Sequence, residues 1–314
     1  MIKQLFLLFL FFISNYTNAQ ILRYEKFISE YIDINNNIEF IILRQFKLSD
    51  KTTKYLALNP MTLETKIINS NNITERDWEY LEDKYSTSIY MKLRNHAKMY
   101  KNEGELKNAG IQNIKSKNSY MITTDLCPSS KKLDYHLYTD IAKNTMLTIP
   151  IGIAISGSWM KYHKNDLRWL LDMQKNKLLS ITWINHSYNH NYIRERKLNS
   201  NFLLIRNTDI EKEVLDMEEL MLENKLNLSI YFRFPGLVSN TIIYNQIIDY
   251  GLIPLGSDSW IGKNKFPKEG SIVLVHGNGN DPKGVRRLRK WLDLNKNNLN
   301  IESINKVFID YFKN

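Results

Sequence analysis

"ITWINHSYNHNYI", residues 181–193, joins a run of β-branched and aromatic residues to two histidines four positions apart, His186 and His190. The run reads as a buried strand, and the histidines fall in the loop at its C-terminal end. With only 6 histidines in 314 residues, a single close pair carries little weight. Taken alone, it fits a polar turn capping a helix equally well. What stands at the ends of the other strands decides its meaning.

From Ser119 onward, short β-rich runs alternate with helically periodic stretches, the pattern of a βα-repeating domain. The strand candidates are "SYMITTD" (119–125), "LTIPIGIAIS" (147–156), "LLSITWIN" (178–185), "LSIYFRF" (228–234), "GLIPLGSD" (251–258) and "SIVLVHG" (271–277). Their C-terminal ends carry Asp125, the pair His186 and His190, Arg233, Asp258 and His276. In a barrel of parallel strands those ends converge on one face, and that face holds the site. Each residue alone has a structural reading: a turn aspartate, a surface ion pair, a core histidine. Their shared position favours function.

In this order the segments "TTDLCPS" (123–129), "NHSYNH" (185–190), "FRFPG" (232–236), "SDSW" (257–260) and "VLVHGN" (273–278) resemble the polysaccharide deacetylases with the NodB homology domain, carbohydrate esterase family 4. The resemblance covers residues 117–312. It implies a distorted (β/α) barrel and metal-dependent removal of acetyl groups from N-acetylated sugars. It also implies that His186 and His190 are the imidazole ligands of a divalent metal, with Ser187 bracing their loop. Arg233 and Asp258 become a buried charge pair orienting the acidic group, Leu274 lines the acetyl pocket and His276 is the general acid. Two imidazoles and a carboxylate leave metal positions open for water and an amide oxygen. A backbone N–H near Pro235 or Gly236 would help bind the oxyanion, and an imidazole suits protonation of the departing amine near neutral pH. Zinc is the default ion for such donors, with cobalt, nickel or manganese as substitutes.

The first motif departs from the family's Thr-Phe-Asp-Asp-Gly. Leu126 stands where the second aspartate binds metal, so the chain resembles a variant group reading T-x-D-x-C. Either Asp125 moves onto the metal and leaves His276 to manage the protons, or the two histidines hold it with water alone, or catalysis is lost and a glycan-binding groove remains. The first is the expectation. Cys127, in the place of the usual glycine, reads as a small buried residue. Asp134 reads as a helix N-cap. Trp159, Trp183 and Trp260 lie near strand ends, where sugar stacking and core packing are both open. His96, His136 and His163 read as helix or loop residues without a role.

The first nineteen residues, "MIKQLFLLFLFFISNYTNA", have the basic start, short apolar stretch and small final residue of a signal peptide, with cleavage expected before Gln20. The apolar stretch falls short of the ~20 residues of a membrane-spanning helix. Export to the periplasm or exterior follows. Cys127 is the sole cysteine, so an internal disulfide is excluded. Cysteine-rich zinc sites are excluded too, and any metal is expected on His, Asp or Glu. The net charge of +10 favours anionic surroundings, and its one dense cluster, "KGVRRLRKWL" (283–292), reads as a solvated helix face with no nucleic-acid role.

Residues 20–115 read as a small α/β region ending in a linker, and 116–314 as the barrel domain. The expected protein is an exported carbohydrate N-deacetylase acting on an N-acetylated polysaccharide or oligosaccharide. The alternatives are a catalytically degenerate glycan-binding protein and a deacetylase-fold enzyme for a non-sugar amide or ester.

Overall fold

The computed structural model describes residues 20–100, 105–115, 119–143, 148–296 and 299–313. Residues 1–19, the stretch expected as a signal peptide, lie outside the described residues. The N-terminal region opens with β1 (Ile21–Asp33), β2 (Ile38–Leu48), β3 (Thr53–Leu58), β4 (Thr65–Ile68) and β5 (Ile73–Glu75). These form an antiparallel sheet in the order β4-β3-β2-β1-β5. The helical periodicity over 75–100 resolves into two helices, α1 (Trp78–Lys84) and α2 (Ile89–Lys98). The break falls at Ser88, whose extended backbone and side chain cap α2 by accepting from the Met91 N–H at 3.2 Å.

The barrel strands are β7 (Met121–Leu126), β8 (Ile149–Ile155), β9 (Leu179–Asn185), β10 (Tyr231–Phe232), β12 (Ile253–Pro254), β13 (Ser259–Trp260) and β14 (Ile272–His276), with β6 (Glu105–Lys107) and β11 (Val238–Asn240) pairing outside them. Between and after the strands run α3 (Tyr135–Lys143), α4 (Gly157–Tyr162), α5 (Lys164–Lys175), α6 (Ile210–Glu223), α7 (Thr241–Asp249), α8 (Pro282–Asn295) and α9 (Ile304–Lys313). The seven-stranded sheet curls in the order β12-β10-β9-β8-β7-β14-β13, with every pairing parallel. This is the distorted (β/α) barrel. Every residue of β7 (MITTDL) is buried, and β8 (IPIGIAI) is buried but for Pro150 and reads as an apolar run.

The segment expected as a linker has a structural task. Ile111 bridges to Leu255 beside β12, and Asn113 bridges to Ser271 beside β14. Residues 109–114 therefore span the gap left open by the two short edge strands. Gly110 makes this possible: its φ is +113°, and a Cβ there would lie 2.6 Å from the Pro254 carbonyl.

One apolar core runs from the N-terminal sheet into the barrel, including Leu43, Leu56, Tyr90, Ile247 and Tyr231. At that junction Arg44 donates to both Glu218 carboxylate oxygens, at 2.7 and 2.9 Å, and to the Leu43 and Tyr250 carbonyls. No helix among the described residues is long and apolar enough to cross a membrane.

Candidate metal centre

Strand alternation sets the floor of the site. Successive side chains of β7 point to opposite faces; Leu126 lies fully in the apolar core, and Asp125 faces the barrel mouth, 3% exposed. Asp125 is in register with His276 on β14, and Leu274, two residues below His276, is completely buried. β9 ends at Asn185, which delivers the histidine loop.

That loop is tightly wound. Ser187 (φ 66°) and His190 (φ 51°) both adopt left-handed backbone, which is costly for residues with a Cβ and needs support from the surroundings. The support comes from Glu213 on α6 and from Asn185. The Glu213 carboxylate accepts from the Asn189 backbone and side-chain N–H groups at 2.9 and 2.8 Å. Asn185 Oδ1 accepts from Ser187 N, and its own amide donates to the Val214 carbonyl. The bracing expected of Ser187 is thus made by others, since its hydroxyl is buried without a hydrogen-bond partner. Phe202 closes the far side, its ring 5.4 Å from that of His190 and packed over Gly236 so tightly that a Cβ there would come within 2.3 Å. Gly236 also takes φ +64°.

The two imidazoles converge. His186 Nδ1 donates to the Arg233 carbonyl at 2.7 Å, so its Nε2 lone pair faces the centre. His190 Nε2 lies 3.2 Å from it. Burial lowers the pKa of His186; for His190 burial and then the neighbouring His186 push it well below the usual imidazole value. Both are held neutral, the form that binds metal.

Arg233 is fully buried, and each of its three nitrogens has an acceptor. Nη1 donates to Asp125 Oδ1 at 2.8 Å and Thr123 Oγ1 at 2.7 Å, while Nε and Nη2 donate to the Leu255 and Gly256 carbonyls. Burial would raise the Asp125 carboxyl, but Arg233, His186 and His276 outweigh it and hold it below the usual carboxylate range. Its free Oδ2 sits 3.9 Å from His186 Nε2.

Two expectations are corrected here. Arg233 pairs with Asp125, whereas Asp258 is half-buried behind Gly256 and accepts from Ser271 at 3.1 Å. The backbone carbonyls of Leu255 and Gly256 take the guanidinium edge that would have faced Asp258. Asp125 gives one oxygen to Arg233, and its other, 3.9 Å from His186 Nε2, is not among the donors that converge within 4.8 Å of one another. In its place stands Cys127, whose Sγ is 3.4 Å from His186 Nε2. Among the described residues, Cys127, His186 and His190 form the group of donor atoms that all lie within 4.8 Å of one another. The expectation that only His, Asp or Glu would offer donors therefore fails.

These spacings fit a metal ion. Tetrahedral ligation at about 2.0–2.1 Å for nitrogen and 2.3 Å for sulfur puts donor atoms roughly 3.3–3.6 Å apart. The observed 3.2 and 3.4 Å lie close to those spacings.

Beside the centre a cavity of about 320 Å³ is lined by Cys127, Trp260, Gly262, Lys263, His276, Asn280 and Asp281. Trp260 forms its wall, 5.6 Å from His276 by ring centroids and with Lys263 Nζ 3.5 Å above its face. Trp159 and Trp183 are core residues, 0% and 1% exposed. His163, read as idle, stacks on Trp159 and hydrogen-bonds the Ser129 carbonyl at 2.7 Å, pinning the loop that carries Cys127. Asp134 accepts from the Gly279 N–H at 2.7 Å and ties down the loop after His276.

No family model matches the sequence. Solved structures that match the chain are family 4 carbohydrate esterases. A family 4 carbohydrate esterase from Bacillus anthracis aligns at 17% identity over 70% of this chain and 91% of its own, with a TM-score of 0.46. PdaA from Bacillus subtilis aligns at 16% over 81% of this chain and 94% of its own, with a TM-score of 0.48. A pseudoenzyme of the same family from Bacillus anthracis aligns at 14% over 65% and 70%, with a TM-score of 0.44.

Proposed function

We propose that the protein is an exported, metal-dependent carbohydrate N-deacetylase acting on an acetylated envelope or extracellular glycan. The observation that carries this reading is the convergence of two neutral imidazoles beside an arginine-held carboxylate, with a second imidazole-bearing strand, β14, closing the mouth. His186 and His190 would hold the divalent ion, zinc by default. When bound, such an ion makes water acidic enough to act as a nucleophile near neutral pH and polarises a carbonyl oxygen.

The chain's own groups then divide the proton work. Asp125 is kept ionised by Arg233 and offers Oδ2 as the base that takes a proton from the attacking water. His276, in register with Asp125 on the adjacent strand and lining the cavity, protonates the departing sugar amine. The backbone N–H of Gly236 would steady the oxyanion, Leu274, buried two residues before His276, would bound the acetyl methyl, and Trp260, on the cavity wall, would stack on a sugar ring. The excess of basic residues suits a polymer bearing carboxylates or phosphates.

A glycan-binding protein without turnover is the second reading, favoured by the burial of Leu126 at the position of the family's usual metal aspartate. Incubation of the zinc-loaded protein with N-acetylglucosamine oligomers and with peptidoglycan, followed by acetate assay, separates the two. Release of acetate that stops on chelation and in His276→Ala supports the enzyme. Saturable glycan binding with no acetate released would leave the binding protein.

A further inference from the structure

We propose that Cys127 is the third protein ligand, so that this centre is a two-histidine, one-thiolate site for a thiophilic divalent ion. This rests on the metallo-hydrolase reading above and adds to it the identity of the third donor and the metal preference that follows.

The backbone on both sides of Cys127 is fixed, so the thiol is pre-set. Leu126 anchors the preceding residue in the core, and its carbonyl accepts from the Ser156 N–H and hydroxyl, at 3.3 and 3.0 Å. The Cys127 carbonyl accepts from the Asn278 side-chain amide at 2.7 Å. Pro128 follows, and the Ser129 carbonyl is held by His163 at 2.7 Å. Alternation along β7 carries on past its last residue, Leu126, so Cys127 falls on the side of Asp125, its sulfur 3.4 Å from His186 Nε2.

No described carboxylate competes for the position. Asp125 is bound through one oxygen to Arg233, and its other oxygen is 3.9 Å from His186 Nε2. Glu213 spends both oxygens on Asn189. The replacement also explains how Leu126 is tolerated. The donor has moved one residue along the chain, the first aspartate keeps its arginine, and a soft sulfur stands in for a hard oxygen. Thiolate favours zinc, cobalt or cadmium over manganese and magnesium, which prefer oxygen. The open cavity beside Cys127 leaves the sulfur reachable by thiol reagents when no ion covers it.

Titration of the chelator-stripped full chain with Co(II), followed by absorption spectroscopy, tests this directly. The proposal expects saturation near one equivalent with a near-ultraviolet thiolate-to-cobalt charge-transfer band. Cys127→Ser should lose the band and bind cobalt at least about 10-fold more weakly, since even outer-shell changes cost that much. Cys127→Asp should bind cobalt without the band. Should the variants fail to fold, wild type still decides: zinc should protect Cys127 from iodoacetamide, and chelator should remove the protection. One bound cobalt with no thiolate band and unprotected Cys127 would overturn the proposal while leaving the metallo-hydrolase reading in place. No bound cobalt at all would overturn both.

Discussion

Two arginines in this protein are fully buried, and each meets a carboxylate, yet their surroundings differ in kind. Arg44 grips both oxygens of Glu218 and two carbonyls, and Tyr24 donates to the same carboxylate at 2.9 Å. Nothing in that junction is left over, and it locks the N-terminal sheet to the barrel. Arg233 is as well satisfied, but it takes only one oxygen of Asp125. The other oxygen lies 3.9 Å from His186 Nε2. A buried ion pair closed on all sides suits holding a fold together, whereas one with an oxygen left over beside an imidazole is available for the proposed proton transfer. Burial alone does not separate the two cases; the count of unspent lone pairs does.

The comparison breaks most readily at the mouth. His276→Ala should lower kcat for acetate release by about 10²–10⁴-fold, the usual worth of a general acid, with thermal stability little changed. An equal loss of stability would make His276 structural. At the junction, Glu218→Ala leaves the Arg44 charge uncompensated and should cost about 3–5 kcal/mol in urea unfolding. The same variant should leave metal affinity intact, since Glu218 touches no site residue.

Acidity sharpens the contrast further. His186 and His190 have pKa values below the unfolded imidazole value of about 6.5, so the unfolded chain takes up protons that the native state refuses. Their contribution is fully present above about pH 6.5 and falls as pH drops below it. The midpoint of unfolding of the metal-free protein should therefore decline from pH 7 to pH 5, and His190→Asn should flatten that decline. The carboxylate of Asp125, held low by Arg233, adds a further loss only at more acidic pH. The smallest effect belongs to Asp258→Asn. Asp258 meets Ser271 and not Arg233, so kcat/KM should change by less than about 3-fold, within the range of a substitution away from the chemistry. A loss as large as that of Asp125→Asn would restore the Arg233–Asp258 pairing.

Much of this was legible in the chain. The barrel strands β8 and β14 are legible because a parallel strand covered on both faces is a nearly unbroken apolar run, and β7 and β9 because β-branched residues crowd a short stretch. Strand β1 passed unread: its "ILRYEKFISEYID" mixes charge with apolar residues on a half-solvated sheet, which blurs the alternation. The helix break at Ser88 depended on a cap that the helical period of the surrounding residues concealed.

At the site, the order of motifs placed His186, His190, Arg233 and His276 at strand ends, and the structure gathers them with Asp125. The third donor was not legible. Alternation puts residues 125 and 127 on one side and Leu126 on the other, but how close Cys127 comes to the histidines is fixed by Ser156, Asn278 and His163, all distant in sequence. The partner of Arg233 was hidden for a similar reason, since it depends on backbone carbonyls. Glu213 and Phe202, which shape the histidine loop, carry no local signal at all.

The most direct test of the central claim is the metal content of the chain, purified without chelator and measured by elemental analysis. A built three-donor site predicts about one equivalent of a divalent transition metal per chain. A protein that holds none, even after dialysis against zinc, would contradict the metallo-deacetylase account.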